Sequence, residues 1–199
     1  MGALTSTDEA VFTQAIRGLS PIDDSVLAAI LDCVRVRELE RGQYLLRAGE
    51  WASEVAIVVS GLLREHFVTA QGTERTKAFV MAGQPTGSLA DLLAGQPSRA
   101  FVVAEEPSRL LVSSFANSVE LADRFDSWRR YSEQLMRRVL ILKATREYEL
   151  LCLDADARYE VFKKRYPGLE TRVAARHVAS YLGVTPVHLS RLRRRRSTR

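Results

Sequence analysis

Apolar and polar residues alternate with a period of two through the middle of the chain. The alternating segments are VRVREL, YLLRAG, VAIVVSGLLREHFV, TKAFVMAG and AFVVAEE, all between residue 34 and about residue 114. Gly, Pro, Gln and Glu residues separate them, at close to the roughly 8 to 12 residue spacing of an all-β domain. The pattern predicts five or more short strands that form a β-sandwich or barrel.

Helical patterns precede this region and interrupt it once. Ser6 is predicted to cap a first helix that Gly18 ends, and Ser20-Pro21 to open a second helix that runs to about Cys33. The segment TGSLADLLAGQPS, residues 86–98, predicts a short helix and a turn between two strands.

After Ser114 the pattern becomes helical, from about Val119 to Leu153. A heptad assignment gives a mostly apolar seam, which predicts dimerisation through this helix. The residues assigned to the dimer seam are Phe125, Trp128, Leu135, Val139 and Leu142. Ser132, Arg146 and Glu149 fall on the same seam and favour the alternative, a helix that lies on its own barrel.

The segment RHVASYLGVTPVHLSRL, residues 176–192, has the pattern of a helix-turn-helix. LDADARYEVFKKRYPGLE precedes it as a hinge and a further helix, which Pro167-Gly168 ends. Gly183 suits the left-handed turn, and Thr185 followed by Pro186 suits the start of the second helix. Val178, Ala179, Leu182, Leu189 and Leu192 are predicted to pack between the two helices.

The other face of the second helix is the candidate DNA-binding surface. Arg191 is predicted to contact a guanine edge, because a guanidinium pairs bidentately with O6 and N7. His188 is assigned to a base edge or a phosphate, with an exposed histidine without contact as the alternative, and Val187 to a thymine methyl group. Thr185, Ser190 and Arg194 complete the surface, and the arginines assigned to phosphates are Arg172, Arg176, Arg193, Arg195, Arg196 and Arg199.

Composition and charge narrow the function class. The chain has 199 residues, 46% of them hydrophobic and 27% charged, and a net charge of +5. Residues 158–199 hold twelve Lys and Arg against two acidic residues, so a polyanion, nucleic acid ahead of a membrane surface, is the expected partner of this end. Neither a spanning segment nor a secretory signal is recognised, so the cytoplasm is expected. Cys33 and Cys152 lack CxxC spacing, so no metal, cluster or disulfide is expected.

The order of barrel, long helix and helix-turn-helix resembles the cyclic-AMP receptor protein and fumarate–nitrate reductase regulator (Crp/Fnr) family of bacterial transcription factors. The resemblance rests on ERGQYLLRAGE, on VAIVVSGLLRE with Gly61, on TGSLADLLAGQPSRAFVVAEEPSRLL at the place of the phosphate-binding cassette, and on HVASYLGVTPVHLSRLRRR. It implies an α+β fold with a cyclic-nucleotide-binding-like β-roll (double-stranded β-helix) sensor at 1–115, a dimerisation helix and hinge at 116–153, and a helix-turn-helix domain at 154–199. It also implies a homodimer on a palindromic DNA site.

Departures from the family pattern concern the sensor and the DNA-binding end. The candidate effector pocket that the resemblance implies comprises Gly87, Ser88, Leu89, Ser98 and Arg99. Ser88 stands where the family has the ribose-binding glutamate, and Ser98 where it has the phosphate-binding arginine, so cyclic AMP is not expected to bind. The cysteines of the iron–sulfur branch are absent and no cofactor is expected. Pro186 and Val187 replace the first arginine and glutamate of the family's recognition helix, and the β-hairpin wing of a winged helix is absent or truncated, which predicts a different target sequence.

Two other function classes are alternatives to a sequence-specific regulator. A dimer with a vestigial barrel that coats nucleic acid through charge alone would need the arginine run but no specific contact. An enzyme is not supported, because no nucleophile with a spaced base is found and Glu105 and Glu106 face opposite sides of a strand. RNA polymerase and an unknown small-molecule effector remain candidate partners, and no membrane is expected as one.

Overall fold

The computed structural model describes residues 2–197, and the side chains of residues 2–195. The chain forms two compact units. The first unit is Met1–Glu65 with Phe79–Arg138, and the second unit is His66–Ala78 with Val139–Arg199. The predicted dimerisation helix is shared between the two units, and the end of a β-hairpin belongs to the second unit. The domain boundaries at 115 and 153 stay a prediction.

Two four-stranded sheets form the β-roll. Their strand orders are β1-β8-β3-β6 and β2-β7-β4-β5, and the pairs β1–β8, β2–β7, β3–β6 and β3–β8 are antiparallel. The predicted α+β class with an N-terminal roll is confirmed, although the strand β8 and the short β6 were not predicted as separate strands. The strands are β1 Arg35–Leu39, β2 Tyr44–Leu46, β3 Glu54–Ser60, β4 Leu62–Val68, β5 Glu74–Met81, β6 Pro85–Thr86, β7 Phe101–Ala104 and β8 Ser108–Ser114.

Gly61 divides one predicted strand into two. It separates β3 from β4, which lie in different sheets, and its φ is +96°. A Cβ at this position would lie 2.3 Å from Ser108 Oγ and 2.6 Å from the carbonyl oxygen of Pro107. Only glycine adopts this conformation and leaves room for the approaching chain.

Residues 2–197 form eight helices, and two of them were predicted as a single helix. They are α1 Ser6–Arg17, α2 Asp24–Leu31, α3 Leu89–Leu93, α4 Phe115–Arg124, α5 Asp126–Cys152, α6 Ala155–Arg165, α7 Ala175–Leu182 and α8 Pro186–Ser197, with a 3₁₀ turn at Leu169–Thr171. The predicted single helix over 119–153 is two helices, because Phe125 has extended backbone angles of φ −130° and ψ 112°. None of the helices described is both long and apolar enough to cross a membrane.

The first two helices start at positions different from those predicted. Thr5, not Ser6, caps α1 through a capping box in which Asp8 N donates to Thr5 Oγ1 and Thr5 N donates to the Asp8 carboxylate. The second helix begins at Asp24, after Ser20-Pro21, and the predicted end of the first helix at Gly18 is confirmed.

Two apolar clusters hold the first unit together. One lies among the strands and includes Leu39, Val58 and Leu110. The other joins the helices to the roll and includes Ile16, Ile57, Leu121, Trp128 and Tyr131. Burying apolar side chains contributes roughly 1.5–3 kcal/mol each, so these clusters stabilise the unit.

The first part of the predicted dimer seam belongs to this intramolecular core. Trp128 is buried, stacks on Tyr131 with ring centroids 4.6 Å apart, and donates from Nε1 to the carbonyl oxygen of Ser118 at 3.0 Å. Phe125 and Leu135 are half-buried against the same cluster. Trp128 therefore packs within its own unit, as in the alternative of a helix that lies on its own barrel, and the assignment of the seam to a partner interface stays a prediction.

Candidate functional site

The helix-turn-helix has the local geometry that its sequence predicts. Helix α7 ends at Gly183, which is left-handed with φ 70° and ψ 32°, and Val184 N donates to the carbonyl oxygen of Ala179 at 3.0 Å. Helix α8 begins at Pro186, and Thr185 Oγ1 accepts a hydrogen bond from His188 N at 3.1 Å. The predicted glycine turn and threonine cap are confirmed.

Apolar side chains fix the two helices against each other and against α6. Val178, Ala179, Leu182, Leu189 and Leu192 are fully buried, as predicted. Beneath them, the rings of Phe162, Tyr166 and Tyr181 form a trio with each pair of centroids 5.5 Å apart. This packing leaves α8 with one buried face and one free face.

The free face of α8 brings the predicted DNA-binding residues together. Val187 is 63% exposed, and a shallow, open depression is lined by Pro186, Val187, Ser190, Arg191 and Arg194. The other candidates Thr185, His188, Arg195, Arg172 and Arg176 are also exposed. The surface is therefore cationic, with a small apolar contribution.

Arg193 differs from the other candidate phosphate ligands. Its Nε donates to Glu170 Oε1 at 2.8 Å, and the same carboxylate accepts from the Tyr159 hydroxyl at 3.0 Å. Burial and the hydrogen bond to Glu170 raise the pKa of Tyr159 above its ordinary value. Arg193 thus holds α8 to the 3₁₀ turn, while the side chain of Arg196 and all of Arg199 lie outside the described residues.

A buried carboxylate, Glu149, organises the second unit, and the sequence analysis missed it. Its Oε2 accepts from Arg146 Nη1 at 3.1 Å and from Arg165 Nη1 at 3.1 Å, and Arg165 Nη1 also donates to the Tyr181 hydroxyl at 2.6 Å. Burial lowers the pKa of Arg165, but the bonds to Glu149 and Tyr181 outweigh it and raise that pKa above its ordinary value. The polar pair at 146 and 149, an exception on the predicted seam, was the available signal.

The same network fixes the end of α7. Arg146 donates to the carbonyl oxygen of Tyr181 and lies over the Tyr181 ring, 4.0 Å from its centroid. Arg158 Nε donates to the carbonyl oxygen of Leu182 at 2.9 Å. These cations cap carbonyl groups at a helix C-terminus, where positive charge is favourable.

The end of the β4–β5 hairpin packs on α7 within the second unit. Thr76 N donates to Ser180 Oγ at 2.9 Å, and Ser180 Oγ donates to the carbonyl oxygen of Glu74 at 3.1 Å. The Glu74 carboxylate lies 3.8 Å from His66 Nε2 and 4.0 Å from His177 Nδ1, and both histidines are buried. Nothing in the sequence pattern indicated this contact.

An apolar strip on α5 is exposed on the side of the helix opposite to the predicted seam. At 3.6 residues per turn, positions 140, 141, 144, 148 and 151 share one face, and positions 135, 139, 142, 146 and 149 share the other. Leu140 is 69% exposed, Ile141 58% and Leu151 76%. We call Leu140, Ile141, Ala144, Tyr148 and Leu151 the α5 strip.

Two of the candidate effector residues of the first unit, Ser88 and Arg99, bind a carboxylate that the sequence pattern did not indicate, that of Asp91. Ser88 and Asp91 are buried, Gly87 and Leu89 are half-buried, and Arg99 is exposed. The Ser98 hydroxyl donates to the carbonyl oxygen of Ala100 at 2.8 Å. Deeper in the roll, Arg64 Nε donates to Glu105 Oε1 at 2.5 Å and Thr86 Oγ1 donates to Glu65 Oε1 at 3.0 Å.

Comparison with known proteins gives a domain family for the β-roll. The family model described as "Cyclic nucleotide-binding domain" matches residues 36–124. The "Fumarate and nitrate reduction regulatory protein" of Vibrio cholerae is 26% identical over 172 residues, which are 79% of this chain and 67% of that protein.

Solved structures share the fold. FixK2 from Bradyrhizobium japonicum superposes with a TM-score of 0.71 at 19% identity, covering 83% of this chain and 85% of that one. A CooA mutant from Carboxydothermus hydrogenoformans gives 0.70 at 20% identity, covering 98% and 87%. With a match to the cyclic nucleotide-binding domain, a relative among the fumarate and nitrate regulators and a helix-turn-helix, the chain is similar to regulators of the Crp/Fnr family.

Proposed function

We propose that the protein binds DNA sequence-specifically as a homodimer, with α8 in the major groove, and regulates transcription without binding cyclic AMP. The observation that carries the proposal is the division of α8 into a fully buried face, with Leu189 and Leu192, and an exposed face that bears Arg191. A recognition helix needs one face held by its own domain and the other free for base edges.

The chemistry of the exposed face assigns the contacts. Arg191 pairs with guanine, Val187 contacts a thymine methyl group, and His188 contacts a base edge or a phosphate. Ser190 and Thr185 add polar contacts at the start of the helix. Arg172, Arg176, Arg194 and Arg195 are the phosphate ligands, and Arg193 acts indirectly by holding α8 through Glu170.

Dimerisation is assigned to the α5 strip. Five neighbouring positions on one helix face carry apolar or small side chains that are exposed in the single chain. Two such strips pack against each other as a helix pair, which buries them and gives two recognition helices related by a two-fold axis. A palindromic site with half-sites about one helical turn apart matches this symmetry. The cytoplasm is the compartment that this function requires, and RNA polymerase and a small-molecule effector are its candidate partners.

Selection of bound duplexes from a random pool, followed by affinity measurement at two or more salt concentrations, tests the function. We expect the selected site to bind about 10³-fold or more tightly than random DNA, because base contacts add to phosphate contacts. An affinity ratio near one, with a steep salt dependence for both duplexes, would instead support the rival function of a non-specific nucleic-acid-binding dimer.

Replacing Arg191 by alanine separates base contact from phosphate contact. We expect affinity for the selected site to fall about 10- to 100-fold, while affinity for random DNA changes little, because a bidentate guanine contact contributes roughly 1–3 kcal/mol of discrimination. Arg172→Ala is the control. It should lower the affinity for both duplexes by the same factor and reduce the dependence of affinity on salt concentration. If Arg191→Ala lowered the affinity for both duplexes by the same factor, Arg191 would instead contact a phosphate.

A further inference from the structure

The turn between β6 and β7 is built around one buried carboxylate. The Asp91 side chain is 4% exposed. Its Oδ2 accepts from Ser88 Oγ at 2.7 Å and from Arg99 N at 2.9 Å, and its Oδ1 accepts from Arg99 Nε at 2.6 Å. A hydroxyl, a backbone N–H and a guanidinium therefore converge on one anion inside the first unit.

The three donors form the kind of set that binds an oxyanion. Charged and backbone donors to a carboxylate make short, strong hydrogen bonds, and the same donors bind phosphate. Ser88 occupies the N-cap position of α3, yet its hydroxyl makes no capping bond and donates to Asp91 instead. The donor set is thus directed at the anion and not at the helix backbone.

Ionisation of Asp91 agrees with this geometry. Burial raises the pKa of the carboxyl, but the hydrogen bonds from the Arg99 backbone, the Ser88 hydroxyl and the Arg99 guanidinium outweigh burial and lower it to about 2. The group is therefore charged at neutral pH. Arg99 is 69% exposed, so its positive charge lies at the surface above a buried negative one.

Neighbouring contacts hold the same segment in place. Gln96 N donates to the carbonyl oxygen of Asp91 at 2.9 Å, and Ser98 N donates to the carbonyl oxygen of Glu50 at 2.8 Å. At the other end, Gly87 has φ +134°, and a Cβ there would lie 3.2 Å from the carbonyl oxygen of Glu54. The backbone around Asp91 is fixed, and the donors are pre-organised around the carboxylate.

We infer that Asp91 is an internal anion that occupies the effector site of the sensor and holds residues 86–101 in place without an external anionic ligand. This specificity-determining carboxylate excludes cyclic nucleotides and other oxyanions, because a second anion at the same donors would meet a buried like charge. The inference rests on the proposed assignment of Ser88 and Arg99 to the effector site. It does not depend on DNA binding by α8.

Chemical rescue of the full-length Asp91→Ala variant tests the inference. At pH 7 we expect the variant to unfold at a lower temperature than the wild type. Formate, acetate and inorganic phosphate at millimolar concentration should each raise its melting temperature by about 3 °C over sodium chloride of the same ionic strength, because they bind the vacated donors. The wild type should show no such shift with these anions or with cyclic AMP.

Two further variants keep the test decisive. Asp123→Ala removes an exposed aspartate of the same unit and should neither lower the melting temperature nor create an anion response. Asp91→Asn keeps the shape and removes the charge, so it should unfold at a higher temperature than the alanine variant and be stabilised less by phosphate, because the amide still occupies the donors. The inference is overturned if neither Asp91 variant responds to any of the three anions, or if cyclic AMP or phosphate stabilises the wild type.

The readout separates this inference from the proposed function. Anion-dependent stability reports on the sensor, and the ratio of affinities for selected and random duplexes reports on α8. A chain that fails to select DNA can still show anion rescue at Asp91, and a chain that selects DNA can still fail the rescue test.

Discussion

Replacement of Glu149 by alanine should destabilise the second unit by about 3–5 kcal/mol, because it removes one partner of a buried ionic network. Arg146 is 17% and Arg165 24% exposed at the side chain, and both would keep a largely desolvated charge without this carboxylate. The bonds from these arginines to Tyr181 would loosen with it. Hydrogen exchange of the α7 and α8 amides, with thermal unfolding of the full chain, measures the effect.

The neighbouring Glu147 supplies the control for this prediction. It is an exposed carboxylate on the same helix, so Glu147→Ala should change stability by no more than about 0.5 kcal/mol. Glu149→Gln keeps the shape and loses the charge, so its loss of stability should lie between those of Glu147→Ala and Glu149→Ala. Equal exchange protection of α7 in the two alanine variants would show that the network does not hold the helix-turn-helix.

A double substitution on the α5 strip, Ile141→Glu with Leu151→Glu, should convert the dimer to a monomer. Carboxylates placed in a helix pair would be buried opposite like charges, which disfavours association. The mass in solution should fall from about twice 22.3 kDa to 22.3 kDa. Affinity for the palindromic site should fall by about 100-fold or more, because the second recognition helix loses its high effective concentration.

Leu142→Glu is the matched control, since it lies on the opposite side of α5 on the seam assigned from the heptads. We expect the Leu142 variant to remain a dimer. A monomeric Leu142 variant beside a dimeric strip variant would restore the heptad seam as the interface. Both variants need helical content equal to that of the wild type, which circular dichroism checks.

The heptad assignment shows where local pattern stopped being informative. Phe125, Trp128 and Leu135 recur at the spacing of a coiled coil, but the same spacing serves a helix that packs on its own domain. Alternation likewise predicted the strand segments but not the change of sheet at Gly61. Periodicity specifies that a face is buried and does not specify against what.

The sequence by itself determined the elements whose causes are local. Gly183, Thr185 and Pro186 act through their own backbone angles and a hydrogen bond to His188, so the turn of the helix-turn-helix and the exposed face of α8 follow from neighbouring residues. Alternation fixed most of the strands for the same reason, because each residue's face depends only on its position along the strand.

Only the tertiary structure decided which residues distant along the chain become partners. The pairs of Arg146 with Tyr181, Thr76 with Ser180 and Arg165 with Glu149 join segments whose approach depends on the whole packing of a unit. A buried charge such as Glu149 or Asp91 is stable only where the fold brings donors to it. A local sequence pattern does not show which donors will contact a carboxylate. The roles of Glu149 and Asp91 were therefore evident only from the folded chain.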